Sequence, residues 1–449
     1  MMNHKVPDKK KICVILLSVL ALSYGLAAIM FRFRDGVSLT VWSVEFWDVL
    51  FHDNLMNFYD YTQMNPRGAP HGVEAGSWLP MIPWILWNFP LWLTHMDPMT
   101  TDVTGGFCNA WSKLFLILCV VLLCVYVYKI VLLLTDGKQE NAWYALLVTA
   151  GSLEIFCSVA FAGQDEVVYL LFLILAVYER LKDRRKRCLF WQVLSVTFCP
   201  IMIIPVVVME AYYDKRIWCL LLKSLLTIAP TLVFNRIYAD VPVWQSVKDV
   251  NSLNIFQAML RTGSLSTAMG DTSIPMVILV LIGFAAYVDR KREAKQGVFF
   301  LCLTLFVLQF MMHLHFYRYC LYIPFFAIYA ALDQENRAMK NFLLFVLSVS
   351  RFLGSFYYPD LWGPIYWISA IRKLGVTKEL FADVHNVAID CMLYIVRPLA
   401  LACAILFLYV CRNKNKKNYA IELPEGISLM LYLGSAPFFM VFYWIWMLL

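Results

Sequence analysis

The chain has 449 residues, 61% of them apolar and 15% charged, with a formal net charge of +7 and a mean hydropathy of +0.65. Soluble domains carry about 45–50% apolar and about 25% charged residues, so the composition excludes an ordinary soluble fold. The positive balance does not mark a nucleic-acid binder, because Lys and Arg fall in short clusters between apolar blocks of bilayer length rather than along one polar stripe. The chain reads as an all-α polytopic membrane protein. Of its 13 cysteines, Cys119, Cys124, Cys157, Cys219, Cys302, Cys391 and Cys403 lie inside apolar runs without zinc-ligand spacing, so they are expected as buried thiols, with no disulfide framework.

The first apolar block, Ile12 to Phe31, follows Lys5 and Lys9 to Lys11. It is about twice the length of a signal h-region and lacks a small-x-small cleavage site, so it is read as a retained first span. Lys and Arg in short loops stay cytoplasmic, which puts the amino terminus inside and residues 32 to 106 outside. In that stretch Trp42, Phe46, Trp47, Leu50 and Phe51 recur at helical spacing with Glu45, Asp48 and His52 between them, the pattern of an interfacial amphipathic helix. Trp84, Trp87 and Trp92 suit the headgroup level. Residues 78 to 93 can also be read as a span, but Pro80, Pro83 and Pro90 weaken that reading.

Further spans are predicted near 107–134, 142–161, 166–181, 217–236, 273–289, 297–313, 319–332, 341–358, 387–411 and 427–448, about 11 in all with the first. The basic connections at 180–187, 289–295 and 412–417 then all fall on the cytoplasmic side. The run from 189 to 212 must return to the side it left, and Cys199-Pro200 and Pro205 in its middle predict a re-entrant or broken helix. Residues 1–335 are expected as one membrane module, and 336–449 as additional C-terminal spans.

Ionisable groups at membrane depth are functional candidates by default. Gly163-Gln164-Asp165-Glu166 forms a short polar turn between two spans, and His313-Leu-His315-Phe-Tyr-Arg318-Tyr319 lies at another outer boundary. Locally the first also reads as a solvated turn, and the second as an aromatic belt with a snorkelling Arg. Asp35 is the first carboxylate after the first span. Lys113, Glu154, Arg351, Asp390 and Arg397 fall within spans. Lys113 and Arg351 sit near outer ends, where a phosphate headgroup fits against them. Structural pairing is the simpler role for Asp390 and Arg397, seven positions apart on one helix face.

The order of these features resembles the membrane-embedded glycosyltransferases of the GT-C superfamily, which take a sugar from a polyprenyl-phosphate donor. The resemblance covers about residues 10 to 335. It rests on Asp35 followed by Trp42 at the family's spacing, then Phe58-Tyr59, Gly163-Gln164-Asp165-Glu166, Asn254-Ile255-Phe256 and His315-Phe-Tyr-Arg318-Tyr319. The sequence departs from the family pattern at Glu74-Ala-Gly-Ser77, where relatives carry Asp-Tyr-Pro-Pro, and at Cys199-Pro200, which lacks the family's Lys.

The resemblance implies transfer of a hexose, of mannose or glucose type, to a glycan or lipid acceptor on the extracytoplasmic face of a bacterial plasma membrane, without metal or other cofactor. Asp35 is the implied general base, with Asp165 the second choice. Arg318, Tyr319, His315 and Lys113 would meet the donor phosphate, and Gln164, Glu166, Glu74 and Asn254 the sugar or acceptor. The alternatives are a transporter or flippase of a lipid-linked saccharide, or an O-antigen-type polymerase or ligase.

Overall fold

The computed structural model describes residues 9–64, 66–69, 78–100, 103–241, 264–267, 270–291, 293–311, 320–355, 395–412 and 424–448. These are all-α apart from one short antiparallel hairpin, Ser264–Thr267 with Gly270–Ser273, in which Ser264 pairs with Ser273. The helices are α1 (Lys9–Met30), α2 (Arg34–His52), α3 (Phe58–Met64), α4 (Ile82–Leu93), α5 (Val103–Leu134), α6 (Gln139–Ala150), α7 (Leu153–Phe156), α8 (Glu166–Leu181), α9 (Arg185–Phe198), α10 (Ile203–Tyr213) and α11 (Ile217–Ile237). After the hairpin come α12 (Ile274–Val288), α13 (Ala294–Met311), α14 (Ile323–Ala331), α15 (Arg337–Ser355), α16 (Arg397–Arg412) and α17 (Glu425–Leu448).

Among the described residues three helices are long and apolar enough to cross a membrane: Lys11–Met30, Val103–Leu134 and Ile217–Ile237. A fourth span results if α6 and the segment Leu153–Ala162, bent by 45°, are counted together. The expectation of about 11 spans is therefore not supported. Apolar runs in the sequence overstate span length because helices end inside them. Pro200 and Pro275 occupy first-turn positions, where a missing N–H costs nothing, and other apolar helices, such as Ile274–Val288, are only 10–17 residues long.

The bend after α6 has a local cause. Ser152 caps α7 by accepting the Ile155 N–H (3.3 Å), and Gly151 leaves room for Leu433 of α17, whose Cδ2 lies 2.3 Å from where a Cβ would stand. Residues Cys157–Ala162 then widen into a π-helix. It closes on Gly163 in the left-handed conformation, while the Gln164 N–H reaches back to Ser158 O (2.8 Å).

The predicted interruption at Cys199-Pro200 is present, between α9 and α10. Gln192 of α9 donates to Glu210 of α10 (2.7 Å), and the Arg180 guanidinium at the end of α8 lies 4.7 Å from the Tyr213 ring centre at the end of α10. The pair thus leaves and re-enters the same end of the bundle. Other basic groups collect at that end: Arg337 faces Glu140 and Glu425, and Arg412 lies over Phe299. One continuous apolar core joins α1, α5, α6, α8 and α14 to α15, α16 and α17, with Tyr432 donating to Val148 O (3.0 Å). The C-terminal helices therefore share the core of the rest.

At 32 residues and a rise of about 1.5 Å per residue, α5 is roughly 48 Å long, well beyond a hydrocarbon core of about 30 Å. Its first turns carry Asn109, Trp111, Ser112 and Lys113, and α2 and α4 pack against them. The tryptophans expected at the headgroup level are built into this packing. Trp84 is 1% exposed. Trp87 and Trp111 stack at 4.9 Å, and each indole N–H donates to the other's carbonyl (2.8 and 3.1 Å).

Candidate functional site

The end of the bundle opposite the basic groups is where α1 stops and α8 begins. Gly36, in the first turn of α2, packs directly on the Ala162-Gly163 turn. A Cβ on Gly36 would stand 3.0 Å from Ala162 O, and one on Gly163 would stand 3.3 Å from Gly36 Cα. Gly163 has φ +68°, a conformation that side chains resist. This close approach sets Asp35 beside Gln164, whose Nε2 donates to Asp35 Oδ2 at 2.7 Å across 129 positions of sequence. Asp35 is half-buried and Gln164 is buried.

Asp165 follows as the residue before α8 and is half-buried. Glu166 is buried, and Ser158 Oγ donates to its Oε2 (3.4 Å). Glu154, expected within a span, is a buried carboxylate that accepts from Ser152 (2.7 Å), Tyr322 (3.1 Å) and Ser348 (3.2 Å). These bonds supply the polar partners a buried carboxylate needs.

Lys113 departs from its expected place. It is 1% exposed, and its ammonium donates to Phe31 O (2.6 Å), Ala160 O (2.9 Å) and Phe161 O (2.8 Å). Those are three donors for three carbonyls, which lie just past α1 and along the π-helix. In this arrangement Lys113 ties the chain just past α1 to the π-helix, and a donor phosphate would have to displace these carbonyls to reach it. Lys113 is the post on which the Asp35 and Gln164 segments are hung.

From Asp35 a polar seam runs along α2. Thr40 donates to Ser112 Oγ (2.9 Å), Ser112 to Asn88 Oδ1 (3.0 Å) and Asn88 to Ser43 Oγ (2.8 Å). Beyond it the structure reverses the amphipathic reading of this helix, because Glu45 is 0% exposed and Asp48 is largely covered. Asp48 receives Arg67 in a bidentate fork (2.8 and 3.1 Å), together with the Trp92 indole (2.9 Å). Neither Glu45 carboxyl oxygen has a hydrogen-bond partner. Burial pushes its pKa up to about 8, and the positive charge of nearby Arg67 offsets that only in part. Sequence reasoning missed this pair. The signal was their position on the stripe Ser38, Val41, Glu45, Asp48, which shares the i, i+3, i+7 spacing of core residues.

The family-like Phe58 and Tyr59 are both 0% exposed and pack with Phe46 and Val49 as core. Glu74, Asn254, His315, Arg318 and Tyr319 lie outside the described residues. Among the described residues no group of three or more His, Cys, Asp or Glu side chains is placed to hold a metal ion. Compared with known proteins, the chain matches no family model, no curated protein and no solved structure. Fold and site together define an all-α chain with helices fit to cross a membrane, carrying a polar seam at the end of the bundle where α1 stops.

Proposed function

We propose that the protein is an integral-membrane glycosyltransferase of GT-C type that moves a hexose from a polyprenyl-phosphate carrier to a glycan or lipid acceptor. The observation that carries this reading is the Asp35–Gln164 hydrogen bond, which joins two of the family-like motifs at one end of the bundle. The gathering of Arg180, Arg337 and Arg412 at the other end supports an outward-facing site, since basic groups favour the cytoplasmic side.

In this reading Asp35 takes the proton from the acceptor hydroxyl as its oxygen bonds to the anomeric carbon. The bond from that carbon to the phosphate oxygen breaks, and the polyprenyl phosphate leaves with the electron pair. Gln164 holds the carboxylate of Asp35 in orientation through its N–H, and Asp165 is close enough in sequence to bind acceptor or sugar hydroxyls with Glu166. Arg318, with Tyr319 and His315, is assigned the negative charge of the leaving phosphate.

The test is release of carrier from a panel of polyprenyl-phosphate hexoses by the purified protein. General-base catalysis is worth about 10²–10⁴-fold, so Asp35→Asn is expected to lose at least about 100-fold in rate, and Gln164→Leu a smaller factor, with both proteins folded. Asp35→Asn turning over at the wild-type rate would remove the base. Asp165→Cys labelled only from the cytoplasmic side would remove the outward-facing site.

A further inference from the structure

The basic end of the bundle carries an open cavity of about 580 Å³ lined by Lys215, Tyr287, Val288 and Arg290. Lys215 precedes α11 by two residues, and Arg290 follows α12 by two, so both cations stand at helix ends. Lys215 is fixed in place, donating to Ala286 O (2.7 Å) and Ala211 O (3.2 Å) with the Tyr212 and Tyr287 rings at 5.3 and 5.8 Å. Tyr287 in turn donates to Lys215 O (2.9 Å).

The carboxylates nearby, Asp214, Asp289 and Glu293, are outnumbered by Lys215, Arg216, Lys223, Arg290 and Lys291. Asp214 faces Arg216 (3.2 Å) and Lys223 (3.4 Å), and Asp289 accepts from the Lys291 N–H (2.9 Å). The helices leading away are bare and apolar. Only 11% of the α11 window is buried, Trp218 is 81% exposed, and Val280 and Phe284 of α12 are each 66% exposed. A membrane-length helix left this open presents its apolar face to lipid chains, and the basic cavity at its end stands at the level of their heads.

We propose that this cavity is a headgroup site for an anionic phospholipid, its phosphate held between Lys215 and Arg290 and its acyl chains lying along α11 and α12. The site is independent of the sugar-transfer reading, which concerns the other end of the bundle. The test is native mass spectrometry of the full-length protein in detergent, titrated with short-chain phosphatidylglycerol or phosphatidylcholine, with and without millimolar inorganic phosphate. Phosphatidylglycerol is expected to bind at least about tenfold tighter, and Arg290→Gln to weaken it about fivefold, the factor for one cation at an anionic surface. Lys215→Gln is expected to weaken it at least as much. If that variant fails to fold, the exposed Arg290 still gives the answer. Equal binding of the two lipids, no change in Arg290→Gln, or displacement of phosphatidylglycerol by inorganic phosphate would each overturn the lipid site, the last in favour of a free-phosphate site.

Discussion

Replacing Lys113 by Met separates the structural role from the phosphate-binding role that the sequence suggests. Methionine keeps most of the aliphatic stem, so little volume is lost, but Phe31 O, Ala160 O and Phe161 O lose their donor. Each hydrogen bond to a charged group is worth about 1.5–3 kcal/mol. The gross loss is offset by no longer burying an ammonium, a cost of several kcal/mol. A buried acceptor that loses its donor costs about 1–3 kcal/mol, so three carbonyls, less the ammonium's desolvation, argue for about 3 kcal/mol. The assay is equilibrium unfolding of the purified protein in mixed micelles with increasing dodecyl sulfate, followed by tryptophan fluorescence. The midpoint of Lys113→Met should fall clearly below wild type, and affinity for a polyprenyl-phosphate sugar should fall only as far as the folded fraction does. An unchanged midpoint with weakened donor binding would refute the structural assignment and restore the phosphate contact.

Glu45 makes stability depend on pH in an unusual direction. Its folded pKa of about 8 lies above the ordinary value of 4.5, so its contribution is complete below about pH 4.5 and is lost as pH rises through 8, at up to about 1.4 kcal/mol per unit. Glu45→Gln should flatten the stability profile across that window, and an unchanged profile measured by the same unfolding assay would show that Glu45 ionises freely. Gly36→Ala puts a methyl carbon 3.0 Å from Ala162 O, so α2 must shift by a few tenths of an ångström. Transfer activity is expected to drop several-fold while overall helix content by circular dichroism stays unchanged. Wild-type activity in that variant would mean that the Asp35–Gln164 contact tolerates displacement.

The Asp35–Gln164 contact joins two segments that motif order singles out. Asp35 and Gln164 stand in the sequence as parts of two short patterns, and the positive φ at Gly163 is what a glycine before a polar turn signals. Pro200 marked the break between α9 and α10 for an equally local reason, since proline lacks the N–H of a helical bond, although Pro230 and Pro437 sit inside α11 and α17. Span count was not legible in the same way. Hydropathy averages over a window, whereas a helix begins at one cap, as α7 does at Ser152 within the stretch read as a span from 142 to 161.

The sequence by itself determined that the chain is helical and apolar enough for a membrane, because composition and proline position act residue by residue. Only the tertiary structure decided which charges face water. Lys113 reads as an interfacial cation until the carbonyls of Phe31, Ala160 and Phe161 close on it, and Glu45 and Asp48 read as a wet face until the chain around Arg67 folds over α2. A side chain's charge is a property of one residue. Its partners come from distant segments, as Ser348 does for Glu154 from 194 positions away, and periodicity within one helix carries no information about them.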